Sequence, residues 1–199
     1  MLQVGPGRSL SVPSEAAQIA RDGDVVEISA AFYEGDVAIW PQNDLTILGV
    51  GGRAHVGAGR QFAEDKGIWV IKGRNATVEH VELSGARGPH RNGCGIRGEE
   101  IGAKSFTLRA SYSHHTRVGH NVKSRAAATY VLYNRIMDEV SGGAAAAGAG
   151  TDAGSLNGFS LTPVAQYAYR TAEEPWPCLG AVDIGASGCS GTGRRALNV

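Results

Sequence analysis

The sequence lacks the features that mark nucleic-acid-binding and membrane-spanning proteins. Acidic and basic side chains balance at 19 each, so no overall charge attracts a nucleic acid or an anionic membrane. No apolar run approaches the roughly 18 residues that a membrane-spanning helix requires. Residues 1–4 do not form a charged start followed by an apolar block, so any secretion signal either has been removed or was never there. We therefore expect no nucleic-acid partner and no membrane-spanning segment.

Cysteine is also scarce, and the three cysteines do not have the spacing of a metal site. Cys178 and Cys189 lie close together in a glycine-rich tail, which suits a small disulfide loop, and whether they are bridged stays open. Cys94 is interpreted as a small buried residue at a corner of the chain. The glycine-rich segment 49–52 is not followed by a helix, which argues against a phosphate-binding loop.

A short β-type phrase, in contrast, returns four times along the chain. The copies are separated by about 24 to 31 residues with almost no helical periodicity between them, which is typical of a solenoid of parallel strands. One coil of such a solenoid supplies the long crossover that a parallel neighbour requires. A second phrase precedes most copies by about eight residues, so each coil carries two strands, and we expect a third to close it. The four copies are 45–47, 76–78, 106–108 and 130–132.

Strand alternation predicts which repeat positions point into the solenoid. The strand period of two places positions 47, 78, 108 and 132 in one inward column. His80 and Asn134 flank this column, and we interpret them as corner-facing or hydrogen-bonded interior polar groups. Glycine, at 29 of 199 residues, provides the many tight corners that a solenoid needs.

Both ends of the repeat region differ from it in composition. Residues 11–21 contain Pro13 and then a capped helical pattern, which predicts a short helix that covers the open first coil with Ala16 and Ile19 facing inward. Residues 142–150 carry no side chain larger than a methyl group, which predicts a flexible linker or a poorly ordered last coil.

These patterns define a fold class and a domain division. We expect an all-β protein, a right-handed parallel β-helix of about five coils with a short N-terminal capping helix. The β-helix and its cap would occupy residues 1–140. Residues 141–199 would form an Ala/Gly-rich linker and an irregular C-terminal tail, with 159–182 as a flap along the solenoid.

The coil alignment also predicts an exterior surface of cations and indoles. Lys123 and Arg125 fall on one outer face, about 7 Å apart. Stacking the preceding coils adds Trp69 and Arg97 to the row of Lys123, and Trp40 to the row of Arg125. An indole can cover the apolar face of a pyranose ring, while Lys and Arg pair with carboxylate or sulfate groups. The predicted partner is therefore an acidic polysaccharide.

The same segment supplies a candidate catalytic base. Arg117, Arg125 and Arg97 would disfavour the ammonium form of Lys123 and lower its pKa towards that of a usable base. Arg125 would stabilise the charge that then develops, and His120 and Arg117 complete the predicted substrate-binding residues. The alternative is that Lys and Arg are scattered over the solenoid surface for solubility.

Histidines and acidic residues raise the question of a metal. His114, His115 and His120 have no further ligand at a recognisable spacing, so no metal site is predicted and the three are assigned to a turn. Asp138 and Glu139 follow a predicted strand and can bind calcium together with other oxygens, although acidic turns of this kind are common. The identity of any cofactor therefore stays open, and calcium is the one candidate.

Three segments near the N-terminus carry a family likeness. Residues 14–20, 23–28 and 33–35 resemble the first coil of right-handed parallel β-helix proteins of the pectin-lyase-like superfamily. Residues 180–186 are similar to the Asp-Ile-Gly-Ala phrase that often closes bacterial β-helix chains on secreted or surface proteins. The resemblance covers residues 8–140 and implies a bacterial, extracellular or periplasmic protein.

Within that superfamily, Lys123-Ser124 and Asn134 are similar to a pattern of alginate-lyase and chondroitinase-B-like enzymes. There the lysine is the base of a β-elimination, and an arginine about one coil later is the acid. One coil after Lys123 lies the stretch 142–150, which contains no arginine. The resemblance implies a monomeric, carbohydrate-related protein of polysaccharide-lyase ancestry that cleaves an acidic polysaccharide by β-elimination. The alternatives are a non-catalytic glycan-binding protein and a purely structural β-helix.

Overall fold

The computed structural model describes residues 1–87, 93–98, 105–116, 120–137, 159–161 and 166–170. This part of the chain contains one short helix and seventeen strands. In chain order they are β1 (Leu2–Val4), α1 (Pro13–Ile19), β2 (Val25–Ser29), β3 (Phe32–Glu34), β4 (Ala38–Trp40), β5 (Thr46–Val50), β6 (Ala54–Gly57), β7 (Gly67–Ile71), β8 (Ala76–Glu79), β9 (Val81–Ser84), β10 (Cys94–Gly98), β11 (Ser105–Arg109), β12 (Tyr112–His114), β13 (Val122–Ser124), β14 (Ala128–Leu132), β15 (Arg135–Met137), β16 (Phe159–Leu161) and β17 (Gln166–Arg170).

From β2 onwards, every third strand returns to the same sheet. Sheet A has the order β1-β2-β5-β8-β11-β14-β17, sheet B the order β3-β6-β9-β12-β15, and sheet C the order β4-β7-β10-β13-β16. Neighbouring strands within each sheet are parallel. One coil therefore gives one strand to each sheet, and about five coils stack on one another. The predicted parallel β-helix, including the third strand of each coil, is confirmed.

The interior is filled by columns of side chains from successive coils. Ile47, Val78 and Leu108 are register neighbours in sheet A and are at most 1% exposed. The next member of this column is Val131, and the prediction of Leu132 is wrong because the fourth repeat pairs one residue earlier. A shift of one residue exchanges the inner and outer faces of a strand, so Val131 points into the core where Leu132 was expected.

The corners between sheets A and B hold the polar residues that flank this column. Asn134 is 3% exposed; its Nδ2 donates to the Leu108 carbonyl at 2.7 Å and its Oδ1 accepts from the Ser111 N–H at 2.8 Å. His80 lies at the equivalent corner two coils earlier, where it is exposed and has a positive φ of 52°. The interpretation of the two residues as interior hydrogen-bonding and corner-facing groups is confirmed.

Helix α1 packs against β1 and β4 at the N-terminal end of the solenoid. The buried Gln42 holds it there, because its Nε2 donates to the carbonyls of Ala17 and Ala20 at 2.9 and 3.1 Å. Ala16 faces the coil as predicted, but Ile19 is 54% exposed, since the helix ends at this residue and its inner face consists of small side chains. In the part of the chain described, no helix is long and apolar enough to cross a bilayer.

Strands β16 and β17 continue the solenoid beyond residue 140. They pair in parallel with β13 and β14, respectively, where the sequence predicts only an irregular flap. Their pairing depends on backbone register with the coil before them, which composition does not reveal. The domain division at residue 140 stays a prediction. Several predicted features lie outside the described residues: the stretch 142–150, the acidic pair 138–139, Cys178 and Cys189.

Candidate functional site

The outer face of sheet C brings two of the predicted cations together. Arg97 on β10 and Lys123 on β13 are register partners, as the coil alignment predicts. The residues before them, Ile96 and Val122, are 0% exposed and point into the coil. Because strand side chains alternate, Arg97 and Lys123 point outwards on adjacent strands, about 4.8 Å apart along the stack.

The two indoles do not belong to this row. Trp69 pairs with Ile96, and both Trp69 and Trp40 are 0% exposed inside the coil, where their rings meet edge to face at 5.6 Å. The predicted outer position of Trp69 and Trp40 is wrong, because the alignment of β7 with β10 was shifted by one residue. Val70, not Trp69, is the register partner of Arg97. The indoles are therefore core residues that a sugar outside the coil does not reach.

The exposure of the cations differs along the row. Arg97 is only 5% exposed, whereas Lys123 and Arg125 are partly exposed. The Arg125 N–H donates to the Gly98 carbonyl at 3.0 Å, which extends the pairing by one residue and places its side chain on the Lys123 side by alternation. Arg117 lies outside the described residues. Most of the accessible positive charge therefore belongs to Lys123 and Arg125.

His120 lies two residues before β13, next to a group that we call the cationic face (Arg97, Lys123 and Arg125). Its carbonyl accepts from the Gly95 N–H at 3.0 Å, which ties it to the preceding coil. Burial, and then the charges of Lys123 and Arg97, lower the pKa of His120 to about 4. The imidazole is therefore uncharged at neutral pH, and its buried Nδ1 has no hydrogen-bond partner within the described residues.

A second chemically active group lies on the outer face of sheet B. His55 on β6 and Glu82 on β9 are register partners, and His114 on β12 follows one coil later, opposite Ser84. We call His55, Glu82 and His114 the histidine–glutamate cluster. Glu82 Oε1 lies 3.1 Å from His114 Nε2 and 3.5 Å from His55 Nδ1. Two imidazoles and a carboxylate at these distances are able to hold a metal ion.

Sequence reasoning missed this cluster and assigned His114 to a turn. His114 is instead a strand residue that is 8% exposed, while His115 follows the strand with a positive φ of 55°. The three cluster residues are each about one coil apart in sequence, which is far from the short spacing of familiar metal motifs. A search for His and Glu residues separated by about one coil length, like the search that found the apolar repeats, would have found them.

Comparison of the chain with known protein families, with curated proteins and with solved structures finds no match. The class of protein is therefore defined by the fold, which over the described residues is a parallel β-helix with one short helix at its N-terminal end.

Proposed function

We propose that this parallel β-helix binds an acidic polysaccharide along the cationic face. Lys123 and Arg125 support the proposal most directly, because both are partly exposed on the outer side of one coil. The largely buried Arg97, the register partner of Lys123, adds a positive charge from the coil before. We further propose pectin-lyase-like ancestry, an extracellular or periplasmic location and a monomeric state, on the sequence resemblance alone. The indoles play no part, since both are enclosed in the core.

The attraction is local and electrostatic. Formal charges over the whole chain sum to zero, so binding depends on the spacing of a few cations rather than on the overall field. Lys123 supplies a compact point charge, and Arg125 a planar guanidinium that can pair with a carboxylate through two hydrogen bonds. The Debye length is about 8 Å at physiological ionic strength and shorter at higher salt, so dissolved ions screen exposed charges from one another more strongly as salt is added. Retention should therefore weaken with added salt.

Removal of the Lys123 charge should weaken polysaccharide binding. We expect Lys123→Ala to lower the affinity for alginate, pectate or chondroitin sulfate about tenfold, which corresponds to about 1.4 kcal/mol, and Lys123→Arg to restore most of it. Affinity chromatography on the immobilised polymers at two salt concentrations measures the effect.

Arg109 provides a matched control for the loss of one positive charge. It lies on the outer face of sheet A, where it pairs with Glu79 at 2.7 Å, away from the cationic face. Arg109→Ala should leave retention unchanged. Equal losses in Lys123→Ala and Arg109→Ala would mean that binding is non-specific, and no retention of the unaltered protein would contradict the proposal directly.

β-Elimination is the second candidate function, and the uncharged imidazole of His120 favours it. A base takes the proton α to the uronate carboxylate, and nearby cations stabilise the negative charge that develops. The C–O bond to the glycosidic oxygen then breaks as the double bond forms, and the leaving oxygen takes a proton from solvent. The uncharged His120 is partly exposed beside two cations, and because its Nδ1 is buried, Nε2 would be the nitrogen that takes the proton. The sequence prediction that Lys123 is the base stays a prediction, and the two assignments differ in their pH dependence.

If His120 is the base, the rate should stay level between about pH 5 and 7 and fall as the pH approaches 4, because protonation of the imidazole removes the base. His120→Gln should abolish the ultraviolet-absorbing unsaturated product and leave retention at pH 7 intact. A titration centred well above pH 5, or full activity of His120→Gln, would exclude His120 as the base. Retention without any product would leave binding as the function.

A further inference from the structure

The histidine–glutamate cluster draws one ligand from each of three successive coils. His55, Glu82 and His114 lie on β6, β9 and β12, and each side chain points away from the apolar interior. The three side chains differ in the fraction of their own surface that is exposed, which is 10% for the His114 side chain, 22% for that of Glu82 and 31% for that of His55. The group is therefore enclosed on the sheet side and open towards solvent.

The distances match the edges of a coordination tetrahedron. Zinc bonds of about 2.0–2.1 Å to imidazole nitrogen and carboxylate oxygen set ligand atoms about 3.3 Å apart. Glu82 Oε1 is 3.1 Å from His114 Nε2 and 3.5 Å from His55 Nδ1. The ligand atoms of all three residues lie within 4.8 Å of one another, a limit that also covers the remaining edge, between the two imidazoles.

The surroundings hold both imidazoles in place through their other nitrogens. His55 Nε2 forms a 2.7 Å hydrogen bond with Ser84 Oγ, which leaves Nδ1 directed at Glu82. His114 Nδ1 contacts His115 Nδ1, which leaves Nε2 directed at Glu82. Hydrogen bonding of the second nitrogen is how proteins set the tautomer and the ring orientation of histidines that bind metals.

Aromatic rings add to this support. The His114 ring stacks on Tyr112 with centroids 4.0 Å apart, and the central carbon of the Arg135 guanidinium lies 4.7 Å from the centroid of the Tyr112 ring. Phe32 packs against His55 at 4.6 Å. Gly57 leaves the space for this ring, because a Cβ there would lie 2.9 Å from Phe32. Two ligands are thus held before any ion binds, which lowers the entropy cost of assembling the site.

We propose that His55, Glu82 and His114 bind a divalent transition-metal ion, with Zn²⁺ the best fit, through His55 Nδ1, Glu82 Oε1 and His114 Nε2. Mixed nitrogen and oxygen ligands favour zinc over calcium, which takes six to eight oxygens. Three protein ligands leave a fourth position on the solvent side for water or a ligand. The ion would also link three coils, so its binding should raise the thermal stability of the solenoid.

Zinc and cobalt binding to the full-length protein tests the proposal. After chelator treatment and dialysis, isothermal titration with Zn²⁺ should show one site per chain and a rise in melting temperature, while Ca²⁺ should produce neither. Co²⁺ should give the visible absorption of a four- or five-coordinate nitrogen and oxygen site. Absence of stoichiometric Zn²⁺ binding would overturn the proposal.

Variants separate the site from adventitious binding by surface histidines. Glu82→Gln and His55→Gln keep the side-chain shape or length, and each should weaken Zn²⁺ binding roughly hundredfold; Ser84→Ala should weaken it about tenfold by freeing the His55 ring. His80→Asn is the matched control, because it removes an exposed histidine while keeping a residue that tolerates positive φ. If His80→Asn weakens binding as much as Glu82→Gln does, the ion is not held by this cluster.

Discussion

Trp69→Ala should destabilise the protein by about 3–5 kcal/mol, because it empties the space of one of the two tryptophans buried in the sheet C core. The Trp69 side chain is 0% exposed and meets Trp40 edge to face at 5.6 Å, so its removal also ends an aromatic contact. Chemical denaturation followed by circular dichroism would show a lower midpoint with an unchanged slope.

Two further variants distinguish a core role of Trp69 from the exterior role that alignment of the coils in the sequence predicts. Tyr130→Ala removes a ring that is 39% exposed on the outer face of sheet A, and we expect a loss of about 1 kcal/mol or less. Trp69→Phe keeps part of the packing and should leave polysaccharide retention unchanged. A small stability loss in Trp69→Ala, together with lost retention in Trp69→Phe, would show that the Trp69 indole lies on the surface and contacts the polysaccharide.

Gly49→Ala should cost about 3 kcal/mol, at the upper end of the usual range for overpacking, because the coils are too close here for any side chain. A Cβ at Gly49 would lie 2.0 Å from the His80 carbonyl oxygen on the next coil. That carbonyl accepts a hydrogen bond from the Ala54 N–H at 3.1 Å, so the backbone cannot move aside without breaking it. The same denaturation measurement detects the loss.

Gly98→Ala is the matched control, since Gly98 is also a buried strand glycine with ordinary φ. A Cβ there would lie 3.4 Å from Ser124 Oγ, which is an ordinary van der Waals distance. The added methyl group should be neutral or stabilise by up to about 1 kcal/mol, because glycine weakens a strand interior. Similar destabilisation by both substitutions would show that contact with the next coil is not what makes Gly49 necessary.

The two errors in the predicted rows have one origin. Recurrence at about one coil length revealed the solenoid, because apolar and glycine positions repeat wherever parallel strands stack. The exact register did not follow, since coils differ in length and one added or missing residue reverses a strand's two faces. For this reason the structure has Val131 and not Leu132 in the core, and Val70 and not Trp69 beside Arg97.

The residues of the candidate sites also differ in how far the sequence predicts them. Arg97 and Lys123 were paired correctly because their two coils were aligned with each other without a shift. Proximity in sequence groups His120 with them, but its low pKa depends on burial, then on Lys123, and on Arg97 from another coil. The histidine–glutamate cluster could not be recognised, because its three ligands come from three coils and no two of them share a local motif.

Local chemistry in the chain was enough to specify repeated short strands, tight corners and a capping helix, since each depends on residues near one another in sequence. Which side chains meet across coils was decided only when the strands paired. In a stacked solenoid, that register turns residues about 30 positions apart into neighbours about 4.8 Å apart, and a single-residue offset determines whether a tryptophan packs inside or faces solvent.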